Sequence, residues 1–232
     1  MDWTRITKKD NYFTPVILLL GTQQEFESFL KTAPDRFVRG PASGGYAVGP
    51  VTSIDASVIN LVGSSFEAID FAADYSASLG TNKLDFSLAA TWAYDMTVQT
   101  SLSAPPVQYA GVLTNAFSEG LGFEGGVEWK GNATVRYSGD NWSVGARARY
   151  FGPYYLNPLH SVIPAQGTNH IEAQTYFDVF GTLKLTRTIA ARAGLSNFTN
   201  KTPPVDVGIF NGYSKISDSR LASYYLTLSK SF

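Results

Sequence analysis

The last ten residues, Ser223-Tyr224-Tyr225-Leu226-Thr227-Leu228-Ser229-Lys230-Ser231-Phe232, alternate between two kinds of side chain. One set is polar or amphipathic, and the other is apolar apart from a single lysine near the end of the run. Successive side chains of a β-strand point to opposite faces, so this period of two predicts a strand with unlike faces. The lysine lies where a long side chain can reach water while its methylene groups stay among apolar neighbours.

The same alternation recurs along the chain. In residues 171–185 every charged side chain falls on one face, and 188–196 follows the same pattern. Paired segments at 129–151 and 66–96 repeat it on both sides of a short turn, and residues 2–9 alternate more weakly. The pattern predicts about eight antiparallel strands in an all-β fold. We expect residues 54–61 to lengthen the first strand of the 66–96 pair.

The connections between these strands alternate in length. Short turns fall near 80–82, 138–141 and 185–188, whereas the long connections cover about 10–50, 97–126, 152–170 and 198–220. Soluble domains seldom contain several long loops without structure of their own. Outer-membrane barrels combine short periplasmic turns with long external loops. If the last strand runs toward the periplasm, every short turn falls on the periplasmic side.

Composition restricts the class of protein. Charged residues make up only 16% of the chain and aromatic residues 14%, with a mean hydropathy of -0.06 and no cysteine. The longest apolar run, from Val16 to Leu20, is much shorter than the roughly 20 residues of a spanning helix. A net charge of -1 gives no indication of a nucleic-acid partner. The start of the chain shows no signal-peptide pattern, which fits a fragment, a mature form or a misassigned start, and we favour a fragment.

A soluble β-sandwich also alternates, with its apolar face inside. Three features favour a transmembrane β-barrel instead. The periodic segments run to about 9–15 residues, longer than typical globular strands. Aromatic residues mark strand ends, as in the interfacial belts of membrane proteins; they include Trp92, Tyr137, Trp142 and Tyr150. The long connections, finally, all fall on one side.

Several short motifs resemble the C-terminal barrel of TonB-dependent outer-membrane receptors. The segment Asn197-Phe198-Thr199-Asn200-Lys201-Thr202-Pro203-Pro204 is similar to that family's Asn-Leu-Phe-Asp-Lys-x-Pro-Pro element. The openings Asp2-Trp3-Thr4-Arg5-Ile6 and Ala68-Ile69-Asp70-Phe71 are similar to two of its strand starts, and Trp129-Lys130-Gly131-Asn132 lies where a further strand begins. Tyr224, Leu226, Leu228 and Phe232 look like the signal that the barrel-assembly machinery recognises.

The resemblance implies a location in the outer membrane of a Gram-negative cell and a barrel of 22 strands closed by a plug. The eight predicted strands of 1–232 would then be an arc of that barrel, with the plug and the TonB-binding segment absent. TonB would act on this chain only through the missing plug. A complete eight-stranded barrel is the competing architecture, but a small barrel fills its interior with side chains. The small inward residues Ser143, Gly145, Gly194 and Ser196 are expected to leave room instead.

Candidate functional residues lie on the predicted inner face and in one loop. The inner-face candidates carry charge: Arg136, Arg147, Arg149, Glu172, Asp178 and Arg192. Arg147 and Arg149 are placed to contact an anionic substrate or the plug; the alternative is an interior ladder of salt bridges. Tyr154 and Tyr155 are candidate substrate contacts because receptors of this kind bind mainly through external loops and the plug; packing at the surface is the alternative.

The remaining patterns indicate no chemistry. His160 and His170 share one loop without a nearby acidic cluster, so we expect no metal site, and no Ser, His and carboxylate set can be assembled on the strands. We predict a non-enzyme without a cofactor. The resemblance implies uptake of a scarce nutrient, such as a ferric siderophore or a carbohydrate. The alternative function is a small complete barrel with a structural or adhesive role.

Overall fold

The structure is a computed structural model of the 232-residue chain, and it describes residues 1–13, 30, 34–99, 105–113, 125–207 and 212–231. Phe232, the last residue of the predicted assembly signal, lies outside the described residues. In the described part, no helix is both long and apolar enough to cross a membrane.

Among the described residues, eight long antiparallel strands follow one another in one sheet in chain order, and a short ninth strand, Val107–Gln108, pairs with one of them; this agrees with the predicted all-β fold of about eight strands. We call this sheet the wall. Its strands are β1 (Asp2–Phe13), β2 (Ile59–Leu79), β3 (Asn82–Gln99), β4 (Trp129–Ser138), β5 (Trp142–Phe151), β6 (Gln174–Lys184), β7 (Ile189–Ser196) and β8 (Ser223–Lys230).

The register of the wall separates two kinds of side chain. Residues directly opposite each other on neighbouring strands point to the same face. One row runs through Asp85, Arg136, Gly145, Phe180, Gly194 and Tyr225. The row of the adjacent residues runs through Phe86, Val135, Ala146, Val179, Leu195 and Tyr224. The wall therefore has a polar face and an apolar face across its strands, as the alternation predicts.

The wall has two unpaired edges among the described residues. β1 pairs only with β2, and β8 pairs only with β7, so the first and last strands lie at opposite ends of the sheet. A closed eight-stranded ring requires hydrogen bonds between β1 and β8. The sheet is thus an open arc rather than a small complete barrel.

Short turns join the strands at one end of the wall and long connections join them at the other, as predicted. β2 and β3 meet through Gly80 and Thr81, and Gly80 adopts a φ of 65°, which glycine reaches without a Cβ clash. The turns at 139–141 and 185–188 lie at this same end. We refer to the two ends as the turn end and the loop end.

The long connections contain short elements of their own. In the described parts of these connections they comprise a 3-10 helix at Pro34–Arg36 and seven strands: Phe37–Arg39, Val51–Ile54, Val107–Gln108, Val112–Leu113, Gly125–Gly126, Tyr154–Tyr155 and His170–Ile171. Two expected boundaries are wrong. Of the stretch 54–61 that was expected to lengthen β2, residues 59–61 do so, whereas Ile54 belongs to Val51–Ile54, which pairs with Phe37–Arg39. Residue 171 does not begin β6, because Ile171 pairs with Tyr154 instead.

Buried apolar side chains concentrate at the loop end. β2 and β3 extend beyond the other strands, and the loop strand at Val107–Gln108 pairs with β3. One cluster packs this loop against the polar-face side of the extension; it contains Ala68, Ala93, Met96, Val98, Tyr109, Ala110 and Val112. A second cluster joins the loops to each other through Leu113, Val127, Tyr154, Leu156 and Ile171. We call these loops and their two clusters the loop layer.

Candidate functional site

The apolar face carries aromatic side chains at two levels. At the loop end Trp92 stacks on Trp129 with ring centroids 5.4 Å apart, and at the turn end Tyr137 contacts Trp142 edge-on at 5.5 Å. Trp129 and Tyr137 lie on the same strand, about 27 Å apart at the usual rise per residue. At the usual strand tilt of about 35–45°, this length corresponds to a height of roughly 19–22 Å across the membrane, close to the apolar band of about 25 Å between the aromatic belts of outer-membrane barrels.

Side chains of the predicted assembly signal lie on the apolar face of β8. Tyr224, Leu226 and Leu228 are 84%, 77% and 70% exposed, and each is opposite an apolar residue of β7. Large apolar groups at this exposure cost free energy in water. They therefore require an apolar solvent or a neighbouring surface.

The polar face holds most of the predicted charged candidates. Arg136, Arg147, Arg149, Asp178 and Arg192 all fall on it by register. Glu172 does not lie on the wall. Because Ile171 pairs with the loop strand at Tyr154–Tyr155, the chain leaves the line of β6 before residue 174. The Glu172 carboxylate is exposed and contacts Nε2 of His170 at 2.7 Å, so its placement as an inner-face residue is wrong.

Arg149 lies at the centre of an ion-pair cluster. Its Nε and Nη2 donate to the two oxygens of Asp178 at 3.0 and 3.1 Å, and its Nη1 donates to Oδ2 of Asp218 at 3.1 Å. The guanidinium also lies over the ring of Tyr176, 5.5 Å from its centroid. The Asp178 and Asp218 side chains are only 14% and 10% exposed. Both carboxylates are thus paired by one planar cation, a geometry that suits arginine and not lysine.

Asn197 attaches the turn that follows β7 to this cluster. Its backbone N–H donates to Oδ1 of Asp178 at 2.9 Å. Its side-chain amide donates to the carbonyl of Lys201 at 2.8 Å and accepts from the Lys201 N–H at 2.9 Å. Asn197 is fully buried and has a φ of 49°, a conformation that asparagine tolerates better than most residues. The motif 197–204 is therefore a tight, internally bonded turn, and we call Arg149, Asp178, Asn197 and Asp218 the Arg149 cluster.

Asp218 is the member of the cluster that sequence reasoning missed. Burial alone would raise the pKa of its carboxyl, but hydrogen bonds from Arg220 and Arg149 hold that pKa below its ordinary value. Asp218 lies 69 residues from Arg149 in the sequence and sits in a loop without strand periodicity. No local pattern links the two residues; only the fold brings them together.

Three other arginines of the polar face have different surroundings. Within the described ranges, Arg136, Arg147 and Arg192 form no ion pair. Arg136 lies over the ring of Phe180, 5.6 Å from its centroid. Arg147 is opposite Asp178 by register, but both oxygens of that carboxylate accept bonds from Arg149. The polar face therefore carries three arginines outside ion pairs next to the Arg149-centred group, and one of them, Arg136, is opposite Asp85 by register.

The inward glycines do not leave open space, contrary to expectation. A Cβ on Gly145 would lie 2.6 Å from the ring of Phe180, and a Cβ on Gly194 would lie 2.6 Å from the ring of Tyr225. Each glycine pairs directly with the aromatic residue that covers it. The aromatic rings of neighbouring strands fill the space that the missing side chains create.

The two predicted loop contacts differ from each other. Tyr154 is 2% exposed, belongs to the second loop cluster and donates to Oδ2 of Asp206 at 2.8 Å. Burial raises the pKa of Tyr154, with Asp206 adding to the effect. This placement does not fit a direct contact with a ligand. Tyr155 is partly exposed, and its ring stacks on His160 with centroids 3.6 Å apart.

The histidines have ordinary partners. His170 contacts Asn169 and Glu172 through its two ring nitrogens, at 2.9 and 2.7 Å. In the part of the chain that the structure describes, no group of three or more His, Asp, Glu or Cys residues could hold a metal ion.

Comparison with known proteins gives similarity at the level of structure. No family model and no curated protein matches the chain. A ferric enterobactin receptor variant from Pseudomonas aeruginosa matches with a TM-score of 0.53 at 16% identity, over 82% of this chain and 25% of the receptor. The siderophore receptor PirA from Acinetobacter baumannii matches with a TM-score of 0.52 at 16% identity, over 99% of this chain and 29% of that protein.

These matches show the fold of the wall. The chain folds as an antiparallel arc similar to part of the β-barrel of TonB-dependent outer-membrane receptors, in agreement with the resemblance of its motifs. It spans about a quarter of the length of the receptors that it matches.

Proposed function

We propose that this chain forms part of the barrel wall and external loops of an outer-membrane transport protein in a Gram-negative cell. The main support is the register of the wall, which separates a polar face from an apolar face bounded by two aromatic levels. Only an apolar environment stabilises so many exposed apolar side chains on one face. Outer-membrane lipid is the partner of that face, and the barrel-assembly machinery is the partner of β8 through Tyr224, Leu226, Leu228 and Phe232.

The transported substrate is a scarce small-molecule nutrient. Two structures of similar fold carry the names of a ferric enterobactin receptor and a siderophore receptor, which favours a ferric siderophore over a carbohydrate. TonB drives this uptake through a plug region outside this chain. The function is transport and not catalysis, and it requires no cofactor from the described residues.

We place the contacts with the transported substrate or the plug on the polar face of the wall. On this face, Arg136, Arg147 and Arg192 form no ion pair within the described ranges. They contact an anionic ligand or the plug. Arg149 and Asp178 neutralise each other and serve structure. In the loop layer, Tyr155 with His160 offers a partly exposed stacked surface to a ligand, whereas Tyr154 acts from within the core.

Growth under nutrient limitation tests this function. Deletion of the complete gene should abolish growth on a ferric siderophore as sole iron source, and restoring the gene should recover it. Carbohydrate-limited growth with ample iron is the second arm, and a defect there alone would shift the substrate class. Normal growth in both arms across panels of siderophores and carbohydrates would refute nutrient uptake. Recovery of the protein outside the outer-membrane fraction would refute the location.

A complete eight-stranded barrel with a structural or adhesive role would need β1 and β8 to pair. They lie at opposite edges of the sheet, which counts against that alternative. Cysteines at Thr4 and Thr227 provide a direct test in the complete protein. Rapid disulfide formation between them would support the small closed ring, and its absence would support the wider barrel.

A further inference from the structure

We propose that Arg149 is a positioning residue that fastens two external loops, 152–173 and 197–222, to the wall so that they move as one body. This inference goes beyond transport, since it concerns how the loops are held and not what they bind. It rests on two sets of contacts, one at the base of the loops and one near their tips.

The base contacts connect the wall to loop 197–222 at both of its ends. At the first end, Asn197 binds Asp178 through its backbone N–H. At the second end, Asp218 binds Arg149, and Arg220 binds Asp218 through its backbone N–H and its guanidinium. The side-chain amide of Asn197 also donates to the carbonyl of Arg220 at 3.4 Å, which joins the two ends to each other.

The tip contacts connect loop 197–222 to loop 152–173. Gln166 Nε2 donates to the carbonyl of Val205 at 3.0 Å, and Gln166 Oε1 accepts from the N–H of Val207 at 3.0 Å. Tyr154 donates to the buried carboxylate of Asp206. Ile216 packs against the second loop cluster. Loop 197–222 therefore lies between the Arg149 cluster below and loop 152–173 beside it.

The chemistry of Arg149 explains why one residue can carry this attachment. Its fork geometry binds two oxygens of Asp178 and leaves a third donor for Asp218, so a single side chain links a wall strand to a distant loop. Removing it would leave two carboxylates, each no more than 14% exposed, close together without their shared cation. The two carboxylates would then repel each other. Asp218 would be displaced first, because it belongs to a loop, and loops open at a lower free-energy cost than paired strands.

Hydrogen exchange of the protein produced from its complete gene, held in detergent micelles, tests the proposal. Arg149→Gln should raise amide exchange at least tenfold in peptides from 197–207, 212–222 and 154–171. Exchange in β4 and β5 should stay unchanged. Arg147→Gln is the matched control, because Arg147 lies two residues away on the same face and forms no ion pair in the described ranges. This control should leave every loop peptide unchanged.

Three results would overturn the proposal. One is unchanged loop exchange in Arg149→Gln; another is an increase confined to 197–222 that leaves 154–171 protected. The third is an equal rise in both arginine variants, which would indicate a general effect of charge.

Two further variants keep the test decisive if Arg149→Gln fails to fold. Arg149→Lys retains the charge but cannot form the three-way geometry, so it should loosen the same loop peptides to a smaller extent. Asn197→Gly retains the backbone conformation while losing the amide bonds, so it should loosen the base of 197–222 first. Loop exchange equal to that of the unchanged protein in both variants would refute the role of the cluster.

Discussion

The wall and the loop layer place their apolar side chains in opposite ways. In the loop layer, Val112, Leu113 and Leu156 are almost completely buried in two clusters. On the wall, Val144, Leu226 and Leu228 remain more than half exposed. Backbone hydrogen bonds between neighbouring strands hold the wall together, and its apolar side chains point away from the protein. The loop layer instead has a buried core like that of a small soluble protein. In the proposed membrane location, one chain therefore combines two regions whose stability depends on different solvents.

A truncation in each region tests this difference most strongly. Leu156→Ala should destabilise the loop layer by about 2–5 kcal/mol, because it removes buried methyl groups and leaves a cavity. Leu226→Ala should have little effect on the wall in lipid, since lipid can occupy the space left on an exposed face. The measurement is amide exchange of loop and wall peptides in each variant. An equal loss in both variants would contradict the two-solvent description.

A charge on either face of the wall tests the second half of the comparison. Leu88 lies midway between the aromatic levels on the apolar face, opposite Ala133. Leu88→Arg should destabilise the wall by about 2–4 kcal/mol in lipid vesicles, as an arginine in the middle of the apolar band must be desolvated. Ser87→Arg, on the polar face opposite Thr134 and Asp74, should be tolerated. Unfolding by urea from vesicles measures both, and similar costs would show that the faces are not distinct.

Adding one methyl group tests the aromatic packing of the polar face. Gly145→Ala should cost about 1–3 kcal/mol, because its Cβ would overlap the Phe180 ring and the carbonyl of Val135. Gly181→Ala is the matched control on the apolar face, where the nearest atom would lie at 3.3 Å. The same urea unfolding in vesicles compares the two. If Gly145→Ala were as stable as Gly181→Ala, the ring would not occupy the space above Gly145.

Acid should produce the smallest effect, confined to the attachment of the loops. The folded-state pKa of Asp218 is below its ordinary value of about 3.9, so folding favours the ionised carboxylate. Its contribution is complete above about pH 3.9 and is lost as the pH falls through the lowered folded-state pKa. Loop exchange should therefore rise only in that acid range, after correction for intrinsic rates. Asp218→Asn should abolish this step, and a step centred above pH 5 would contradict the assignment.

Periodicity located the strands more reliably than it located their ends. All eight strands of the wall were predictable because side chains that face two different media must alternate every second residue. The start of β2 and the break before β6 were not, since Ile54 and Ile171 instead pair with short loop strands about 17 residues earlier in the chain. A short stretch such as Val51-Thr52-Ser53-Ile54 fits equally well as an extension of the wall or as one strand of a separate hairpin.

The candidate site likewise contains residues that the sequence identifies and residues that it does not. Arg149 and Asp178 were identifiable from the sequence because they fall on the polar side of the alternation in their strands. Asn197 was identifiable as the first residue of the motif 197–204. Asp218 was not identifiable, because a carboxylate in a loop follows no strand alternation that would assign it to a face. Tyr154 and Tyr155 are neighbours of the same residue type, yet one is buried and the other stacks at the surface. The short strand at 154–155 decides between them, since alternate residues of any strand face opposite sides.

Four features of the wall could be predicted from the amino-acid pattern: the two-faced strands, their approximate number, the end of the sheet that carries each turn and the aromatic levels of the apolar face. These properties follow from local alternation and from the solvent on each face, and neither requires knowledge of distant contacts. Three features emerge only from the three-dimensional contacts: which arginine pairs with carboxylates, which glycines are covered by aromatic rings, and how the loops attach to the wall. Each of these depends on register and loop closure, which bring residues together across tens of positions and leave no local trace in the chain.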